Sequence, residues 1–221
     1  MRIGIELNGV LRDTIGKIEQ IYRKNFIDVI QEDLYPQTYT LDMSGNTEMV
    51  EKTEPFEYEI NEPITSLDLG NHFKFPSNDE LYSFLFEEFA MEIFGHAGSV
   101  ETMTFNDLNE FYLQNRDNHE ILIVSDEIGK SKPASLFFLS KFGCLIEKIK
   151  FYSNITLATM WDEVDVLVTA NPNLINEKPK DKIVIKFNQT YNQNVECEHT
   201  IESIKELNNK LQKITENVQS I

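Results

Sequence analysis

The chain has 221 residues, 37 acids against 20 Lys and Arg, and a formal net charge of -17. That field repels phosphate backbones and anionic lipid, and it argues against sequence-independent nucleic-acid or membrane binding. Hydrophobic residues at 41% and 15 Phe exceed what disordered chains carry and suffice for a core, so the length fits one domain with an insertion.

Residues 2–7, RIGIEL, read as a short buried strand, after which Asp13 or Thr14 caps a helix with Ile15, Ile18, Tyr22, Phe26 and Val29 at helical spacing. From 34 to 72 the pattern dissolves into Pro, Thr, Asn, Ser and acids, with Pro36, Pro55 and Pro63 as breakers, so long regular elements are not expected there. Inside it, EMVEKTEPFEYEINEP alternates acids with Phe56, Tyr58 and Ile60. That pattern suits an edge strand or an extended arm docking a partner, or else a solvated cap. SNDELYSFLFEEFAMEIFG offers Ser77 or Asn78 as cap and Leu81, Phe84, Leu85, Phe89 and Ile93 as an apolar face, predicting one helix over 78–94 that ends at Gly95.

A helix from Thr104 leads into EILIVSDE, an apolar run of the kind that fills the middle of a parallel sheet. KPASLFFLSKFG reads as a helix with Pro133 in its first turn and Gly143 as its stop. IEKIKFYS, VDVLVTA and DKIVIKF read as strands, and TIESIKELNNKLQKI as a closing amphipathic helix. Strands separated by helices predict an α/β fold with a doubly wound, mainly parallel sheet. Its core is expected over 1–33 and 101–221, with an acidic insertion or cap over 34–100. Such sheets place sites at the carboxyl ends of strands, here Glu6 and Asn8, Ser125 to Glu127, Ser153 to Thr156, and Thr169 to Pro172.

With NGVLRDT after the first strand, ILIVSDE as the second and DVLVTANPNLINEKPKDKIVIKFNQTYN toward the end, the chain resembles the haloacid dehalogenase-like (HAD) phosphohydrolases. Within them it resembles the 5'-nucleotidase and deoxyribonucleotidase branch. The resemblance covers residues 1–16 and roughly 104–207 and implies the Rossmann-like core of that family. It places Glu6 where the family has its nucleophilic Asp and Asn8 where it has its acid/base. Ser125 matches the residue that holds a phosphate oxygen, and Thr169 and Ala170 stand where two acids hold magnesium. The family lysine, expected near FYSNITLAT, meets Asn154, Ile155 and Thr156, while Lys130, Lys132, Lys148 and Lys150 lie too early or inside the strand.

The replacements have chemical consequences. A Glu carboxylate reaches about 1.5 Å beyond that of Asp, and a misplacement of about 1 Å can cost on the order of a hundredfold in rate. A carboxamide at position 8 neither takes nor gives a proton at neutral pH. Magnesium wants hard anionic oxygens, which Thr169 and Ala170 do not supply. The expected protein is therefore a catalytically silent HAD-like chain, a structural or accessory subunit that contacts other proteins or assembles with itself. Abundant Asn and scarce Ala resemble the coding bias of an AT-rich bacterium or phage, and a phage virion is one candidate assembly. The alternatives are a divergent 5'-nucleotidase or phosphatase using Glu6, Ser125 and a lysine outside the family position, and a non-hydrolytic nucleotide sensor built on Ser125 and backbone N–H groups. No cofactor is expected, with magnesium required only for the enzyme.

Simpler roles stand beside these. Gly9 supplies a turn, Asp13 and Thr14 cap a helix, Ser125 satisfies backbone groups, and Asn171, Pro172 and Asn192 are turn residues. Glu6, Asp13, Asp126 and Glu127 form the one combination that would rebuild a weak divalent-cation site. His72, His96, His119 and His199 lack metal-ligand spacing, and Cys144 and Cys197, too few for a disulfide scaffold, read as packing residues in a reducing compartment. No run approaches the roughly 20 apolar residues of a membrane span and no signal-peptide pattern opens the chain, so a cytoplasmic location, virion-associated if the phage reading holds, is expected.

Overall fold

The apolar runs of the sequence become neighbours in one sheet. The computed structural model of the chain describes residues 1–29, 40–41, 47–48 and 56–219. Six strands, β1 (Arg2–Glu6), β2 (Glu120–Asp126), β3 (Ile149–Tyr152), β4 (Val166–Thr169), β5 (Ile183–Phe187) and β6 (His199–Ile201), pair in the order β3-β2-β1-β4-β5-β6. Every pairing is parallel, with Ile3 beside both Ile121 and Val166. The sheet is a doubly wound α/β core, as the alternation of runs predicts.

Strand side chains point alternately to the two faces, and the core divides accordingly. Ile3, Ile5, Ile121, Ile123, Val166, Val168 and Ile185 pack beneath helices α3 (Thr104–Asn115), α4 (Ser131–Lys141) and α7 (Leu207–Gln219). Leu122, Val124, Leu167 and Val184 pack on the opposite face against Met160 and Trp161 of α5 (Leu157–Glu163) and Leu174 and Ile175 of α6 (Pro172–Asn176). Burial on both faces explains why β2 and β4 read as unbroken apolar runs.

Four elements depart from expectation. Thr200 and Ile201, predicted to begin the last helix, form edge strand β6 on β5. There Ile201 is buried and its carbonyl accepts from Asn188 N at 2.9 Å; the helix begins only at Leu207. The helices α5 and α6 are additional, the second opened by Asn171, whose side chain accepts from Asn173 N, and by Pro172 in its first turn. The helix expected over 78–94 is α2 (Asn78–Ser83), capped by Ser77, followed by two π turns, Phe84–Glu88 and Met91–Gly95. Buried residues there fall at Phe84, Leu85, Ala90, Ile93 and Phe94, a spacing that a continuous 3.6-residue repeat does not keep in register and that wider π turns accommodate.

Helix α1 (Thr14–Tyr22) ends in a further π turn, Arg23–Ile27. Its Ile18, Ile21 and Tyr22 share a cluster with Phe73, Phe84, Leu85, Ile93 and Phe94. Tyr58 stacks on Phe26 at 4.6 Å between ring centroids, and Tyr22 meets Phe73 at 5.3 Å and Phe75 at 5.2 Å. The described part of the acidic arm therefore turns Tyr58 and Ile60 toward the protein's own aromatic cluster, while Glu57 and Glu59 face solvent. Residues 49–55 of that arm lie outside the described residues. His72 is a satisfied core histidine, its Nδ1 donating to the Asn61 carbonyl at 2.9 Å and its Nε2 accepting from Ser66 at 3.0 Å.

Candidate functional site

In the strand order 3-2-1-4-5-6 the connections reverse direction beside β1, and the crevice outside the carboxyl ends of β1 and β4 is where such sheets accommodate ligands. The chain leaves β1 through a tight loop. Leu11 and Arg12 N donate to the Leu7 carbonyl at 3.1 and 2.9 Å, and Gly9 N donates to the Arg12 carbonyl at 2.9 Å. Gly9 has φ +76°, and a Cβ there would stand 2.0 Å from the Tyr191 hydroxyl oxygen. Both the turn and the approach of Tyr191 therefore require glycine. Asp13 Oδ1 then accepts from Gly16 N at 3.0 Å, the N-cap of α1.

This loop delivers two buried carboxyl neighbourhoods. The first is organised by Arg12, a fully buried guanidinium. Arg12 forms an ion pair with Glu127 and donates through Nη2 to Asn8 Oδ1 at 2.6 Å, through Nη1 to Ser135 Oγ at 2.7 Å and to the Phe94 carbonyl at 2.8 Å. The Phe94 carbonyl belongs to the last π turn, where helix ends leave carbonyls unpaired. The rings of Phe94 and Phe138 lie 5.0 and 5.3 Å from the guanidinium carbon. Glu127 Oε1 also accepts from Ser125 at 3.1 Å, Ser135 at 2.9 Å and Asn8 at 3.4 Å, whereas Oε2 is buried without a partner among the described residues. Burial pulls Arg12 below its ordinary value while Glu127 supports its charge.

The second neighbourhood surrounds Glu6, at the end of β1. Tyr152, ending β3, donates to Glu6 Oε1 at 2.9 Å, and Thr169, ending β4, donates to Oε2. The Ala170 backbone N–H also supports the charged form. Burial nevertheless dominates and pushes Glu6 up to about 7, with the neighbouring charge of Asp126 acting in the same sense. Asp126 is itself raised by partial burial and by Glu127.

Glu6, Asn8 and Asp126 border a cleft of about 690 Å³ that Leu67, Leu69, Leu85 and Phe86 also line. Its described lining includes a third acid, Glu177, and no Lys, Arg or His. The lysines weighed from the sequence are engaged elsewhere. Lys148 pairs with Glu120, Lys150 with Glu163 and Lys130 with Glu87, while Lys132 lies 5.9 Å from the Phe151 ring centroid.

All five singled-out positions, Glu6, Asn8, Ser125, Thr169 and Ala170, stand at strand ends, and Glu6 meets Thr169 and Ala170 directly. Ser125 differs from expectation. It is fully buried and bonds the Glu127 carboxylate rather than the backbone, and it does not line the cleft. Asn8 Oδ1 is taken by Arg12 and by Thr14, which donates at 2.7 Å. Of the four acids weighed as a cation site, Glu127 is turned to Arg12 and Asp13 caps α1, whereas Glu6 and Asp126 both border the cleft. Among the described residues no three His, Cys, Asp or Glu side chains are placed to hold a metal ion. The donor set does not fit magnesium, since both Glu6 oxygens accept hydroxyls and Thr169 and Ala170 offer no carboxylate. Arg12, Ser135 and Tyr152 are the site residues that sequence reasoning missed. The one signal for Arg12 was a charge lodged between the apolar Val10–Leu11 and the helix cap.

No family model and no curated protein sequence matches the chain. A solved structure titled as a crystal structure analysis of a dehalogenase with intermediate complex superposes over 93% of this chain and 94% of its own length, with TM-score 0.50 and 10% identity. The chain accordingly shares the fold of that dehalogenase, a Rossmann-like parallel sheet with helices on both faces. Among the described residues no helix is long and apolar enough to cross a membrane.

Proposed function

We propose that this chain is a HAD-like protein, related to the nucleotidase branch by its motif frame, that has left phosphoryl transfer and serves as an accessory or structural subunit in contact with other proteins. One observation carries the reading. The strand-end polar groups that would face a phosphate are already engaged by protein partners, Asn8 and Ser125 by the Arg12–Glu127 pair and Glu6, at the cleft edge, by Tyr152 and Thr169. With no cation in the described lining of the cleft, charge developing on a transferring phosphoryl group would find no counter-charge. Contact with other proteins is favoured by exposed apolar side chains such as Met91 and Phe137, which flank Gly95. A phage particle is the assembly that the composition favours.

A second reading, an enzyme, is favoured by Glu6 alone, because a cleft carboxyl at about 7 is matched to acid–base work at neutral pH. One assay separates the two. Incubated with magnesium and nucleoside monophosphates or a chromogenic phosphate ester, the protein is expected to release no more phosphate than its Glu6→Gln variant. Turnover that depends on Glu6 would overturn the silent reading.

A further inference from the structure

The cleft between the strand ends and the segment 67–86 has a composition of its own. At about 690 Å³ it falls within the range of small-molecule sites. Its lining combines apolar side chains, Leu67, Leu69, Leu85 and Phe86 among them, with the carboxyls of Glu6, Asp126 and Glu177. The Asp126 side chain has no hydrogen-bond or ion-pair partner among the described residues and faces the like charge of Glu127. A cleft lined by hydrocarbon and by a single sign of charge focuses its field inward and concentrates ligands of opposite sign. The surrounding charge of -17 adds to that bias. A phosphate or carboxylate ligand would meet like charge and lose its hydration with nothing in return.

We propose that this cleft binds an organic cation, a protonated amine on an apolar body, with its ammonium between the Glu6 and Asp126 carboxyls and its body against Leu69, Leu85 and Phe86. The hydrocarbon supplies burial and the ammonium supplies orientation, a division usual in pockets with few polar anchors. Binding is coupled to protons through Glu6, which is faced by Asp126, Tyr152 and Tyr191. A cation seated there displaces the proton of Glu6, so affinity rises between pH 6 and pH 8. The proposal is independent of the silent reading above, because amine binding and phosphate release are separate measurements on the same sample.

The test uses the full chain in calorimetric titrations with phenethylammonium, its isosteric anion 3-phenylpropionate, and inorganic phosphate. Expected are saturable binding of phenethylammonium alone, stronger at pH 8 than at pH 6, and a loss of about fivefold in Asp126→Asn, the scale of a partly exposed ion pair. Asp126→Asn removes a charge without removing a partner, so the fold is retained, which thermal melting checks. Binding of 3-phenylpropionate or phosphate as tight as that of the amine, failure of phenethylammonium to saturate at millimolar concentration, or indifference to Asp126→Asn would each overturn the proposal.

Discussion

Two carboxyls leave the same strand ends and meet opposite fates. Glu127 is enclosed with a guanidinium, two serine hydroxyls and a carboxamide, all inside the protein. Glu6, one strand away, has hydroxyl partners but no cation among the described residues, and it borders an open cleft. A buried charge is tolerated where an opposite charge and hydrogen bonds accompany it, and where they do not it is pushed toward its neutral form. The contrast shows how one loop closes off half of a strand-end crevice and leaves the other half chemically responsive. Arg12, the residue that seals the first half, also engages Asn8 Oδ1, while its partner Glu127 takes up the Ser125 hydroxyl.

The largest test of the contrast breaks the sealed pair. Arg12→Met leaves Glu127 buried without its counter-ion and is expected to cost about 3 to 5 kcal/mol in denaturant unfolding. Adding Glu127→Gln should recover part of that loss, because no buried charge then remains while Ser125, Ser135 and Asn8 keep an amide partner. If the double variant is no more stable than the single one, the guanidinium serves packing and not charge.

The next test concerns Glu6 and carries a sign. At low pH the carboxyl is protonated in folded and unfolded chains alike and costs nothing. As pH rises through the ordinary carboxyl range the unfolded chain loses its proton first, so stability falls until the folded group also ionises near 7. A rise from 4.5 to about 7 corresponds to about 3 kcal/mol. Glu6→Gln should therefore match the parent at pH 4 and exceed it by up to about 3 kcal/mol at pH 8, measured by urea unfolding at both values. Equal stability of the two proteins at pH 8 would remove the distinction between the carboxyls.

The smallest effect sharpens the second half. Tyr152→Phe removes the hydroxyl that supports the charged form of Glu6, so Glu6 should titrate higher still. The variant should lose about 1 kcal/mol at pH 8 and less at pH 5. Carbon-detected NMR of the Glu6 carboxyl follows the shift directly, and a titration that moves downward would contradict the assignment of the donor.

The frame of this molecule was legible in the residues themselves. β2 and β4 announced themselves as apolar runs because both faces of a central parallel strand are buried, and Asp13 and Ser77 cap helices as their residue types foretell. Edge strand β6 was not legible, since three residues carry no period and only pairing with β5 makes Thr200 and Ile201 extended. The π turns over 84–95 escaped for a related reason. Leu81, Phe84, Leu85 and Phe89 fit a 3.6-residue face, and only packing against α1 shows which residues are buried.

The sequence by itself determined which groups the site lacks. At the strand ends Glu6, Asn8, Thr169 and Ala170 supply one carboxylate, one carboxamide and one hydroxyl whatever their geometry, because chemistry belongs to the side chain. Only the tertiary structure decided what replaced them. Arg12 and Glu127 lie 115 positions apart and Glu6 and Thr169 lie 163 apart, and no local pattern encodes which partner a buried charge will meet. Burial turns those distant choices into one sealed ion pair and one carboxyl poised to lose its proton.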